Sequence, residues 1–181
     1  MIHQNDLSEK ATASLLNTMK SLKINTLIRK SNIRKNGGVG TYEILQTLIL
    51  LVFQGVSLFR FLESPKGTDL PSKDTYYRFL NESSYAWRRF LQILAVHVIS
   101  TFSKLTSEKR VKVFIIDDSL FSRSRSKKVE LLTRVFDHTT HRFVKGFNML
   151  TLGWSDGFSF IPLDFVMLSS SNEKTRLQSI D

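Results

Sequence analysis

From residue 111 the chain reads Val-Lys-Val-Phe-Ile-Ile-Asp-Asp-Ser, an almost wholly apolar run that ends in two adjacent carboxylates. Such a run is typical of a strand covered on both faces. It also divides the sequence. Before residue 110 the apolar residues recur at helical spacing, and after it strands and turns take over. The pattern predicts an α+β protein, with a basic helical region over 1–110 and a sheet-forming region over 111–181.

In the first region the spacing predicts two short helices, over 7–21 and 23–33, ended by Asn36-Gly37-Gly38-Val39-Gly40. No strand precedes these glycines and no Gly-Lys-Ser/Thr follows them, so they read as a flexible link rather than a phosphate loop. Thr41 is expected to cap one long helix running to Glu63. Its apolar residues (Ile44, Leu45, Leu48, Leu51, Val52, Val56, Phe59) lie all round the axis, which places it at the centre of a helical bundle. After a turn over 64–71, Ser72 caps a helix over 73–81. A last helix over 85–105 sets Trp87, Leu91, Leu94 and Val98 on one face.

In the second region, strands are expected over 147–154 and 158–168, joined by the tight-turn signal Ser155-Asp156-Gly157. The most apolar run of the whole chain, Leu48–Phe53, is far shorter than the roughly 20 residues a membrane span needs. No signal peptide is visible at the N-terminus.

Charge narrows the partners. The chain has 26 Lys and Arg against 16 Asp and Glu, a formal charge of +10. A protein this basic attracts polyanions, nucleic acid foremost, because neutralised phosphates release counterions. The absence of cysteine excludes disulfides and thiolate metal sites and suits a reducing compartment.

Asp117 and Asp118 sit where the apolar strand leaves the core. Carboxylates there are costly to bury unless they are paired or hold a metal, and hard cations such as Mg²⁺ prefer oxygen ligands. A strand-end Asp capping the next turn is the alternative, and spacing alone leaves both open. Just beyond, Arg123, Arg125, Lys127 and Lys128 form a basic stretch suited to holding a DNA backbone. In the helix over 73–81, Lys73, Thr75, Tyr76 and Arg78 could face DNA as in a helix-turn-helix, though the preceding turn is long and an ordinary amphipathic helix fits as well. Arg29, Lys30, Arg34 and Lys35 form a further cluster suited to phosphate contact. Asp156 is explained by its turn, and Asp137 and Asp164 by loops or strand surfaces. His138 and His141 read as ordinary loop histidines, and Trp154 as packing behind the hairpin.

Several segments, in order, resemble a known family. They are Val113-Phe114-Ile115-Ile116-Asp117-Asp118-Ser119, then Ser126–Leu132, Arg134-Val135-Phe136-Asp137-His138, Val144–Trp154 and Asp156–Leu163, preceded by Ser72–Leu80. Together they resemble the first catalytic part of bacterial DDE transposases, most closely the group named after insertion sequence four.

The resemblance implies the first strands of an incomplete RNase H-like mixed sheet. It implies Asp117 as the first Mg²⁺ ligand, with Asp118 its adjacent rival, since the family reads aliphatic run, Asp, any residue, then Thr or Ser, here Ser119. It implies DNA transposition, with cleavage and joining of inverted-repeat ends to target double-stranded DNA in the bacterial cytoplasm. A homodimer in a synaptic complex is compatible with it. The family's second Asp and its Glu find no match here, so the chain alone is expected not to cut DNA. A non-catalytic DNA-binding protein that competes with intact transposase is the alternative.

Overall fold

The computed structural model describes residues 2–67, 70–107, 109–127 and 129–168, the side chains of residues 2–9 and 66 excepted. The architecture is α+β: among the described residues, six α-helices lead into a four-stranded antiparallel sheet. The chain divides into two compact units, residues 1–97 and 98–181. No helix among the described residues is long and apolar enough to cross a membrane.

In the first unit α1 (Ile2–Ser21) turns at Lys23, which adopts a left-handed φ of 53°, into α2 (Ile24–Lys30). The helix stops sooner than its apolar spacing suggests. Ser31 returns its hydroxyl to Leu27 O at 2.9 Å, and fully buried Ile33 folds back so that its N–H reaches Ile28 O.

The expected single helix from Thr41 is in fact two, α3 (Thr41–Gln54) and α4 (Leu58–Leu62). Gly55, at φ 65°, ends α3, with its N–H on Val52 O and that of Val56 on Leu51 O. This closure satisfies carbonyls that the broken helix would otherwise orphan. Ser57 then caps α4 by accepting from the Arg60 N–H. The position at the bundle centre holds only for the first part of α3. Ile44, Leu45 and Leu51 are buried, whereas Val52, Phe53, Val56 and Phe59 are exposed.

After a 3-10 turn at Pro65–Gly67 come α5 (Lys73–Leu80) and α6 (Trp87–Ser103). The core joins Met19, Ile24, Leu27, Ile28, Ile33, Ile44 and Leu45 to Tyr76 and Phe79 of α5. Phe79 meets Tyr85 and Trp87 edge-on at 5.5 and 5.3 Å between centroids. Tyr85 donates its hydroxyl to Arg34 O at 3.1 Å, tying the segment before α6 to the one after α2.

The second unit is built on β3 (Arg142–Ser155). β1 (Val113–Ser122) runs antiparallel along one edge of it, from Val113 opposite Ser155 to Ser122 opposite Gly146. The other edge is shared. β4 (Phe160–Leu168) pairs with residues 148–155 and β2 (Thr133–Asp137) with residues 142–146. The β3–β4 register shifts between Leu152 and Gly153, which leaves Leu163 as a bulge residue.

Two expectations are corrected here. Among the described residues there are four strands rather than three, β2 arising from a stretch that reads as polar, and every pairing is antiparallel. β1 is not covered on both faces: among the described residues it pairs only with β3, and Phe114 and Ile116 are 72% and 70% exposed. An apolar run records what a strand could bury, and the described residues do not bury this one.

Candidate functional site on the sheet face

Successive side chains of a strand point to opposite faces, and directly paired residues share one. Asp117 lies opposite Thr151, which lies opposite Phe165; Asp118 lies opposite Leu150, which lies opposite Val166. The two adjacent carboxylates therefore serve opposite faces of the sheet, and both are exposed. Ser119 returns to the Asp117 face, half-buried opposite Met149. A carboxylate oxygen is the right donor for a hard divalent cation. However, no group of three or more His, Asp or Glu side chains that could hold a metal occurs among the described residues. Asp117 offers this face one exposed carboxylate.

Beyond β1 the basic stretch turns away from the strand direction. Arg123 donates its backbone N–H to Lys145 O at 2.7 Å and accepts from the Ser126 N–H. Arg125 and Lys127 follow in the same exposed loop, and Lys128 lies outside the described residues. The pairing at Arg123 has a consequence that the sequence hides. Lys145 is also opposite Arg134 of β2, so three cations occupy one row across three segments, Arg123, Lys145 and Arg134.

Alternation along β3 puts Thr151, Met149, Phe147, Lys145 and Phe143 on one face, the face of Asp117. On β2 the matching residues are Arg134, opposite Lys145, and Phe136, opposite Phe143. Neither Arg134 nor Lys145 was among the sequence candidates. A signal was present: Arg134-Val135-Phe136-Asp137-His138-Thr139 is mirrored by Thr140-His141-Arg142-Phe143-Val144-Lys145. A strand that reads the same outward from a central turn gives like residues opposite each other in a hairpin.

The acidic residues set aside as structural behave so. Asp156 is buried in the β3–β4 turn, where one oxygen accepts from the Phe158 and Ser159 N–H groups and the other from Arg110 Nη1 at 2.8 Å. The Ser159 N–H, with the Arg110 guanidinium next, holds its carboxyl down to about 2. Arg110 also lies 4.3 Å over the Phe158 ring. Asp137 caps the β2–β3 turn by accepting from the Thr140 hydroxyl at 2.7 Å and the Thr139 N–H at 2.9 Å, bonds that lower its pKa. Trp154 is buried.

In the helical unit, two of the expected DNA-facing sets meet. Lys35 and Arg78 line one hollow of about 380 Å³ together with Gly37, Gly38, Thr75, Glu82 and Tyr85. Arg29 and Arg34 line a second with Lys35 and Glu43. Lys73 stands exposed at the start of α5. Tyr76 does not face outward. It is 1% exposed and part of the core, because α5 turns its 76/79 stripe inward.

The family profile described as DDE superfamily endonuclease matches residues 43–178, well over half of the chain. No curated protein and no solved structure matches it. A profile covering α3 to beyond β4 spans the Asp117 strand and the β2–β3 ribbon together, and nucleic acid hydrolysis is the chemistry it describes. On that match this α+β chain belongs to the DDE superfamily endonuclease family.

Proposed function

We propose that the chain is the N-terminal portion of an insertion-sequence DDE transposase, related to the group named after insertion sequence four, that acts on double-stranded DNA. The observation that supports this best is Asp117, exposed on a sheet face whose cation row, Arg123, Lys145 and Arg134, begins where β1 ends. Asp117 is the first carboxylate ligand for Mg²⁺ in this reading, and Asp118, on the other face, is not. A divalent cation held there would polarise a phosphate oxygen. The remaining ligands come from outside the described residues.

Arg123, Arg125, Lys127 and Lys128 steady the DNA backbone near that carboxylate. Lys73, Arg78, Arg34 and Lys35 contact phosphates from the helical unit. These contacts position DNA and do not read its sequence.

The same cation row fits a second reading for the chain by itself: a protein that binds element ends without cutting and competes with intact transposase. One assay addresses both. A plasmid carrying the DNA that flanks the gene is incubated with the chain and Mg²⁺, alone and with intact transposase. Metal-dependent end joining by the intact transposase, abolished when Asp117→Ala is made in it and spared by Asp118→Ala, supports the first reading. Binding without cleavage, with inhibition of the intact enzyme, supports the second. Joining that survives Asp117→Ala sinks the catalytic assignment.

A further inference from the structure

The hairpin of β2 and β3 carries an unusual surface. On one face, Arg134 is opposite Lys145, and Phe136 is opposite Phe143. The two Phe rings meet at 5.2 Å between centroids, and the rings of His138 and His141 pack against Phe136 at 5.0 and 6.4 Å. The aromatic face is open: Phe143 is 68% exposed. The two acidic or basic residues next in register, Asp137 and Arg142, are on the opposite face, and the Asp137 carboxylate is engaged by its own turn.

A large exposed ring costs hydration free energy unless something covers it. Here the covering group must satisfy two demands at once. It must present flat apolar surfaces to rings, and it must bear negative charge at the spacing of the Arg134, Lys145 and Arg123 row. Unpaired nucleobases on a phosphate backbone meet both demands. A duplex meets only the second, because its base faces are already stacked on one another.

We infer that the β2–β3 ribbon is a platform for single-stranded DNA, where unpaired bases stack on Phe143 and Phe136 while Arg134, Lys145 and Arg123 hold the phosphates. That the polymer is DNA rests on the function proposed above; the stacking and charge arguments do not. The platform and Asp117 share a sheet face. From Thr151, opposite Asp117, to Lys145 is six residues along β3, on the order of 20 Å at strand spacing. Met149 and Phe147, with Phe121 opposite the latter, lie between them on that face. A strand unpaired at the platform thus has a continuous, mostly apolar path toward the carboxylate.

The test uses the full chain with a labelled oligothymidylate and a duplex of equal length, in buffer containing EDTA, read by fluorescence anisotropy. Phe143→Ala should weaken single-strand binding by roughly 5- to 100-fold, the usual range for losing one stacked base. Because Phe143 is so exposed, the variant should keep the wild-type circular dichroism. Phe143→Trp should retain binding, with its fluorescence quenched by the oligonucleotide. Lys145→Gln should weaken the single strand and lower the salt dependence.

Unchanged single-strand affinity in Phe143→Ala overturns the platform. So does equal weakening of single strand and duplex by that variant, which would make the site a general polyanion contact. Absence of single-strand binding by the wild type overturns it as well. The EDTA buffer reads no metal chemistry, so failure of the platform and failure of the Asp117 assignment appear in different experiments.

Discussion

Asp117 and Asp118 are consecutive in the chain but lie on opposite faces of the sheet, the first opposite Thr151 and the second opposite Leu150. Only one of them can belong to a site on a given face. The Asp117 face is also that of the Lys145 row, so the assignment of Asp117 can be tested on the chain itself. Substoichiometric Mn²⁺ should broaden the amide resonances of Asp117 and Thr151 in the nuclear magnetic resonance spectrum. Asp117→Asn should remove that broadening and Asp118→Asn should not. Broadening centred on Leu150 and Val166 would instead select Asp118.

Asp156 sets an acid limit on the sheet. Its carboxyl, held to about 2 by the Ser159 N–H and the Arg110 guanidinium, ordinarily titrates near 3.8. A depressed native pKa means that the stabilisation is complete above the unfolded value and is lost as pH falls from about 4 through 2. Asp156→Asn keeps the turn shape but loses the ion pair. It should melt lower at neutral pH, by on the order of 5 °C, and show a flatter melting temperature between pH 4 and 2 than the wild type. Parallel curves for the two proteins across that window would show that Asp156 is not the group responsible.

Tyr76 separates a core helix from a recognition helix. Because it is buried in the same core cluster as Ile44 and Phe79, Tyr76→Ala should destabilise the helical unit by about 3–5 kcal/mol, as truncation of a buried aromatic does. Exposed Lys73, replaced by Ala, should leave stability within about 0.5 kcal/mol. Urea unfolding followed by circular dichroism distinguishes these outcomes. A Tyr76→Ala protein of wild-type stability and impaired DNA binding would restore the outward-facing assignment.

The division into helices and sheet was legible because periodicity changes at the strand that carries Asp117. The turn role of Asp156 was legible because a short acidic side chain beside glycine reaches backbone N–H groups two or three residues on. The break at Gly55 was not. An apolar pattern continues through Gly55 to Phe59, and only the left-handed closure, with Val56 N–H on Leu51 O, shows that the helix has ended. β2 was missed for a different reason: its Arg134 and Phe136 line an exposed face, so apolar alternation is absent and only the mirrored order around Thr139 and Thr140 marks it. The orientation of Tyr76 depends on which face of a short helix meets the core, and four aromatic or apolar residues in α5 (Tyr76, Tyr77, Phe79 and Leu80) offer more than one choice. The meeting of Arg123, Lys145 and Arg134 is a property of register, and no local signal in the basic stretch encodes it.

Lys35 and Arg78 come from segments 43 residues apart in number (78 less 35) yet line one hollow. If phosphates enter it, Lys35→Gln and Arg78→Gln should each weaken duplex binding about equally across unrelated sequences and reduce the slope of log affinity against log salt by about 1. The double variant should reduce it by about 2, because each cation that leaves a phosphate retains one counterion fewer to release. Mobility-shift titrations at several salt concentrations give those slopes. A loss confined to one DNA sequence would mean that the hollow reads bases. Unchanged slopes would mean that its charge, balanced locally by Glu82, does not meet DNA at all. Glu82 is itself held ionised by the Ser84 hydroxyl and N–H, which lower its pKa. Removing it with Glu82→Gln should therefore strengthen duplex binding modestly, roughly 2- to 5-fold at low salt, if the hollow is where phosphate sits.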